Sequence, residues 1–412
     1  MSTEVPDAGS PAARQPLRPR GSNQMGIAQF NERVVLQAIR LHGALPQAQI
    51  ARLTHLTAQT VSLILARLDA AGLLVRLAPV RGKVGQPSVP VALDPDGAFS
   101  IGINVGRRSL DVLLVDFTGE VRDRSTLNYR YPNPDEVLGE IEQRLRAIRK
   151  RLGFAKRDRL QGIGIAAPLL LDGWASLLGV RPRQSWAHID LADRVATMSG
   201  LPTTFVKDTA AACVAELVAG RGRTLKTFLY VFVGTFIGGG LVIDSQLRNG
   251  LHGNAGAVGS QAMRRSDPGQ SGPPEQLLSV ASLLTLEAAY EAHDLDPAAV
   301  GDERSLQARW RPHTEAWLAQ AAPAIALVVH NAACLLDLDG VIIDGSFSRD
   351  LLGLLNDRVQ ESFDQYNWEG TQRPQLLPGA VGPDARALGG ALLPLHANFA
   401  PDRELFLKLE RA

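Results

Sequence analysis

A strand, a glycine turn and a second strand occur twice in this chain, about 125 residues apart, and that repetition constrains the fold more than any other feature. The first copy is FSIGINVGRRSLDVLLVDFTGEV, starting at Phe99, and the second is TFLYVFVGTFIGGGLVIDSQL, starting at Thr227. Two similar halves, each opening with a hairpin whose turn is glycine-rich, predict a duplicated α/β fold with a cleft between the halves. In the second copy four glycines fall within the seven residues Gly234 to Gly240. That is how a backbone turn that cradles phosphate reads in sequence. A tight hairpin in a packed sheet asks for the same glycines on grounds of backbone shape alone.

Between and after the two hairpins the pattern alternates helix and strand. A helix is expected at about 134–152, with Val137, Ile141, Leu145 and Ile148 on one face, followed by the buried strand GIGIAA. A helix at about 187–199, the strand TTFV and the helix TAAACVAELVAG complete the first half. The second half continues with a long apolar helix at about 313–336, the strand GVIIDG, a helix from about 349 and a closing helix in PDARALGGALLPL.

The amino-terminal part reads differently. Residues 31–42 place Val34, Val35, Ile39 and Leu41 at helical spacing, with Gly43 as a stop. A short helix (Gln47 to Leu53), a tight turn (Thr54 to Thr57) and a longer helix (Ala58 to Ala71) then have the spacing of a helix-turn-helix. Ile50, Leu53, Leu56, Val61, Ile64 and Leu68 would close its small core. Thr57, Gln59, Thr60 and Ser62 are short polar residues near the start of the second helix, where such residues reach bases and phosphates in a major groove. Two short strands around a glycine-rich loop add a wing, whose Arg81 and Lys83 suit the phosphate backbone. Charge supports this division: residues 1–94 carry ten Lys+Arg against five Asp+Glu, leaving 33 against 37 for the remainder. A plain three-helix packing unit would show the same apolar pattern.

Composition excludes several classes. With 45% apolar and 21% charged residues and a net charge of +1, the chain reads as a globular protein of two or three domains. Its apolar runs fall short of the roughly 18 residues of a membrane span, so no transmembrane helix and no membrane partner are expected. Residues 1–27 lack the apolar core of a secretory signal and are expected to form a disordered tail. Cys213 and Cys334, the only cysteines, give neither a disulfide framework nor a cysteine zinc cage, and a reducing cytoplasm is the natural compartment.

Six segments together carry a resemblance: INVG at Ile103–Gly106, GIGIAAP at Gly162–Pro168, VKDTAAACVAE at Val206–Glu216, VGTFIGGG at Val233–Gly240, RNGLHGNAGAVGS at Arg248–Ser260 and PDARALGGA at Pro383–Ala391. In this order, behind a helix-turn-helix, they resemble the ROK family, which groups sugar-responsive repressors with sugar kinases. The resemblance covers roughly residues 27–398. It implies a winged helix-turn-helix at 28–94, followed at 98–398 by a two-lobed actin-like (ribonuclease H-like) sugar-kinase fold that senses a ligand and mediates oligomerisation. In the kinases of that fold the two glycine turns face each other across the phosphates of ATP.

The resemblance also implies a kinase site that has eroded. The family's catalytic carboxylate falls on Asp208. Its first phosphate turn supplies an aspartate, two glycines and a threonine, where this chain has Asn104, Gly106, Arg107 and Arg108. Those arginines would either bind phosphate or point outward into solvent. A sugar-binding glutamate and a histidine serving sugar and zinc are replaced by Ala257 and Ser260, and the zinc cysteines by SDPGQSGPPEQ. Glu275 falls near a further sugar-contacting glutamate. Lys207 replaces an asparagine, and an ammonium there favours an anionic ligand such as a sugar acid or sugar phosphate.

The resulting expectation is a transcriptional repressor of carbohydrate genes with no catalytic residue, metal or cofactor. Its partners are palindromic operator DNA, a sugar-type effector held by Lys207, Asp208, Ser260 and Glu275, and further copies of itself in a dimer or tetramer. A sugar kinase with an appended DNA-binding head and an oligomeric scaffold with a dead pocket remain as alternatives.

Overall fold

The computed structural model describes residues 24–79, 88–169, 185–264, 272 and 274–401. The chain divides into two units: Asp94–Asn398, and the residues up to Leu93 together with those from Phe399 onward.

In the amino-terminal unit, helix α1 (Gln24–His42) leads through strand β1 (Leu45–Pro46) to α2 (Gln47–Thr54) and α3 (Ala58–Ala70). Strands β2 (Leu74–Arg76) and β3 (Pro90–Leu93) follow, and the small antiparallel sheet has the order β1-β3-β2. Helix α1 begins inside the expected tail, whose residues 1–23 lie outside the described residues. Val35, Leu36, Ile39, Ile50, Val61, Ile64 and Leu68 are buried. Leu53 is an exception to the expected core, at 39% exposed. Leu65, four residues beyond Val61 on the packed face of α3, is buried instead.

The larger unit holds two sheets of one design. In the first lobe β4 (Phe99–Val105), β5 (Ser109–Asp116) and β6 (Val121–Asn128) form a meander, followed by α4 (Pro134–Arg157), β7 (Leu160–Ala167), α5 (Leu191–Ser199) and β8 (Thr203–Lys207). Helix α6 (Asp208–Ala219) then enters the second lobe, with β9 (Phe228–Val233), β10 (Ile237–Ile243), β11 (Gln246–Arg248), α7 (Leu277–Ala281), α8 (Leu283–Glu291), α9 (Arg311–Leu336), β12 (Gly340–Gly345), α10 (Arg349–Phe363), β13 (Gln375–Pro378) and α11 (Ala385–Phe399). The strand orders are β6-β5-β4-β7-β8 and β11-β10-β9-β12-β13. In each, the two hairpin pairings are antiparallel and the two others parallel. The duplication read from the two hairpins therefore extends through all five strands of each half.

Some elements depart from the sequence pattern. Helix α4 runs past the expected end at 152 through a kink at Gly153, whose φ of 64° suits a residue without a side chain. The helix expected at 187–199 is a single tight turn at Trp186–His188 followed by α5. Helix α9 is also long and apolar enough to cross a membrane by composition, a property overlooked by counting runs between charges. Here Trp317, Leu318, Ala321, Ala322, Ile325, Ala326, Val328 and Val329 bury its faces in the second lobe's core.

Candidate functional site

The exposed start of α3 is set by its cap. Helix α2 stops at His55, which takes a left-handed φ of 55°, and α3 starts from Thr57 in an extended conformation. The Thr57 hydroxyl accepts from the Thr60 backbone N–H at 3.1 Å and lies 2.8 Å from the Thr60 hydroxyl. Gln47 closes the turn by donating to the Ala58 carbonyl at 2.9 Å. Thr57, Gln59 and Ser62 are exposed and Thr60 half-buried, so the four expected DNA-contacting residues share one end of α3. Thr57 and Thr60 are engaged in capping, which leaves Gln59 and Ser62 as the freer side chains. Arg81 and Lys83 of the wing lie outside the described residues.

The first glycine turn, between β4 and β5, is closed. Arg107 is 7% exposed and Glu287 of α8 is 5% exposed, and they form an ion pair across the two lobes at 3.5 Å. Arg108 reaches the same carboxylate at 2.9 Å. Neither arginine therefore simply points into solvent. Burial pulls Arg107 below the usual guanidinium range and pushes the Glu287 carboxyl up, with Arg108 and Arg107 opposing the latter. Asn104 donates to Asp111 on the neighbouring strand at 3.1 Å.

The second turn is narrower than its sequence suggests. Strand β10 begins at Ile237, so Gly238, Gly239 and Gly240 lie in the strand and the turn itself is Gly234–Phe236. A Cβ at Gly238 would stand 2.8 Å from the Thr209 methyl, and one at Gly240 would stand 2.5 Å from the Cys213 Cβ. These two glycines let α6 lie directly on the strand. The glycine run is thus largely a packing feature.

A cavity of 370 Å³ opens beside this second turn. Lys207, Asp208 and Thr209 line it from the start of α6, and Gly234, Thr235 and Gly238 from the hairpin, with Ala257 and Ser260 opposite. The structure brings together three of the four expected ligand residues, Lys207, Asp208 and Ser260. Glu275 is exposed and is not among the lining residues. Its backbone is taken up by pairing with Met263, at the edge of a segment that the zinc-site alignment left unanchored.

Arg107 also lines the cavity, and one lining residue escaped the sequence reading, Arg386. Arg386 stands near the start of α11, with its guanidinium 5.4 Å from the centre of the Phe232 ring. Its signal in the sequence was a lone arginine at the head of a run of small residues, ALGGA.

The donor set does not fit the groups that the resemblance implies. Ser260 and a cysteine-free segment cannot supply a tetrahedral sulfur and nitrogen shell for zinc. The first turn carries the bulky Arg107, paired with Glu287, where the family has small residues, and Asn104 stands where the family has its magnesium-linked aspartate.

Comparisons with known proteins agree with this architecture. The model of the ROK family matches residues 100–397, and that of the MarR family matches residues 29–83. A putative xylose repressor of Caldicellulosiruptor sp. (strain Rt8B.4) is 26% identical over 273 residues, covering 64% of this chain and 67% of that protein. The xylose repressor of Bacillus subtilis (strain 168) is 22% identical over 378 residues, covering 89% of this chain and 95% of its own. Among solved structures, a ROK family transcriptional regulator described as a homolog of the E. coli MLC protein superposes with a TM-score of 0.66 at 19% identity, covering 90% of this chain and 97% of its own. The ROK hexokinase from Thermus thermophilus superposes with a TM-score of 0.55 at 21% identity, covering 71% and 97%. Both likenesses are of fold.

Proposed function

The chain belongs to the ROK family, with a MarR-type winged helix at its amino-terminal end, and on that premise we propose that it is a sugar-responsive DNA-binding repressor. The observation that carries this reading over the kinase alternative is the closed first turn. A buried Arg107–Glu287 pair stands at the first turn in place of the family's small residues, while the cavity beside Asp208 stays open. A pocket that retains its ligand side and loses its phosphate side suits a sensor. The relatives named as xylose repressors support the same reading.

In this reading the winged helix occupies about 28–94 and the sensor about 98–398. Gln59 and Ser62 of α3 reach base edges, Thr57 and Thr60 hold the helix start against the phosphates, and Arg81 and Lys83 track the backbone. The effector lies among Lys207, Asp208 and Ser260. By binding one arrangement of the two lobes better than another, it shifts the spacing of paired DNA-reading heads in a homo-oligomer. Two-fold symmetry then matches a palindromic operator.

Fluorescence anisotropy of the purified chain on the DNA upstream of its own gene, against a scrambled duplex, tests the reading. Tighter binding to its own DNA by roughly a hundredfold is expected at near-physiological salt. Equal weak binding to both duplexes, together with sugar-dependent ADP release, would instead establish the kinase.

A further inference from the structure

The lining of the open cavity is electrically one-sided. Arg107, Lys207 and Arg386 face it, against the single carboxylate of Asp208. Glu287 neutralises Arg107 from the second lobe. Lys207 and Arg386 have no ion-pair partner among the described residues.

Hydrogen bonding is incomplete in the same place. Arg107 is more than nine-tenths buried, and its Nε has no partner. The Nε of Arg386 is likewise buried without a partner, and its Nη2 meets only the Ser346 hydroxyl, at 3.4 Å. A buried guanidinium N–H left unmade is unfavourable by more than a neutral donor would be. Both Nε atoms are sealed from the cavity, so what a ligand there meets is the unpaired positive charge of Lys207 and Arg386. At the start of α6 the Asp208 carboxylate accepts from the Thr209 backbone N–H at 2.8 Å, which fixes it beside Lys207.

The remaining walls specify what carries the charge. Asp208 and Ser260 offer acceptors and a donor for hydroxyl groups, and Phe232 and Leu278 offer apolar faces. The volume of 370 Å³ suits a single sugar ring with one substituent.

We propose that this cavity binds a monosaccharide bearing an oxyanion, phosphate or carboxylate, with Arg386 and Lys207 holding the anionic group and Asp208 the hydroxyls. The proposal rests on the sensor reading for its biological use, but the site stands on its own geometry. A guanidinium fork suits either oxyanion, since both present paired oxygens to it.

The test uses the full chain and three variants, Arg386→Gln, Arg386→Lys and Lys207→Gln, each checked for a native thermal transition. Inorganic phosphate is the first probe, followed by its ³¹P resonance at constant ionic strength. Broadening by the wild type that weakens by about tenfold or more in Arg386→Gln and in Lys207→Gln, with partial recovery in Arg386→Lys, is the expected result. Equal broadening by wild type and variants would place the phosphate elsewhere, for instance on the basic wing, and overturn the proposal. Absence of binding at millimolar phosphate would overturn it too. Thermal shifts with glucose, glucuronate and glucose 6-phosphate then separate neutral sugar, carboxylate and phosphate, and stabilisation by glucose alone also overturns it. Measuring DNA affinity beside these keeps the two readings apart. An anion site that never alters DNA binding refutes the sensor, and a neutral sugar that releases DNA refutes the anion site.

Discussion

The two glycine turns of the larger unit are built on the same strand–turn–strand design, yet one is tied up in a buried ion pair and the other lines the cavity with its backbone. At the first, Arg107 and Arg108 converge on Glu287 and tie one lobe to the other. At the second, Gly234 and Thr235 line free space, and the glycines behind them press a strand onto a helix. The difference teaches that a glycine turn does not by itself report a ligand. What reports one is whether the surrounding polar groups are satisfied from within the chain.

The largest effect should come from breaking the shut turn. Glu287→Ala leaves Arg107 buried without its counter-charge and should destabilise the sensor unit by about 3–5 kcal/mol. Chemical denaturation measures this directly. The double replacement Arg107→Met with Glu287→Leu should recover most of the loss, because matched apolar groups of similar volume carry no desolvation penalty. A Glu287→Ala variant as stable as the parent would mean that the pair is a surface-like contact and the turn is not held shut.

Next in size is the strand that leaves the open turn. Gly240→Ala drives a methyl into Cys213 on α6 and should destabilise by about 2 kcal/mol. Anisotropy on the surviving folded fraction should show unchanged DNA affinity, since the glycine serves packing. A variant of unaltered stability that lost its response to effector would reverse the assignment and restore the glycine run to a ligand role.

Smaller effects belong to the recognition helix, which contrasts with both turns because its polar residues are exposed. Thr57→Ala removes the cap on α3 and should lower the stability of the winged helix by about 1 kcal/mol, read from its own thermal transition. Gln59→Ala should leave stability within about 0.5 kcal/mol and change which operator sequence is preferred. A uniform loss of affinity across all sequences would place Gln59 against phosphate.

Much of the fold was legible in the sequence because its signals are local. The helix-turn-helix boundaries lie within a residue of those read from apolar spacing and turn residues, and the paired hairpins announced the duplicated sheets. Strand β13 and helices α7 and α8 were missed. They are short and carry no periodicity strong enough to stand alone, and β13 exists because β12 offers a parallel edge. Lys207, Asp208 and Ser260 line the cavity together, where motif order placed them, whereas Glu275, placed across a gapped segment, is not among the lining residues.

The sequence by itself determined the two-part organisation, the hairpin repeat and the loss of zinc and phosphate ligands, since each is a matter of which residue stands at which spacing. Only the tertiary structure decided what the charged residues do. Arg107 lies 180 positions from Glu287 along the chain, and Arg386 lies about as far from Lys207, so no local pattern links either pair. Their roles follow from burial. Both border the same cavity, but where folding brings a counter-charge, as for Arg107, the cation becomes a tie between lobes, and where it brings none among the described residues, as for Arg386, its charge is left to the cavity.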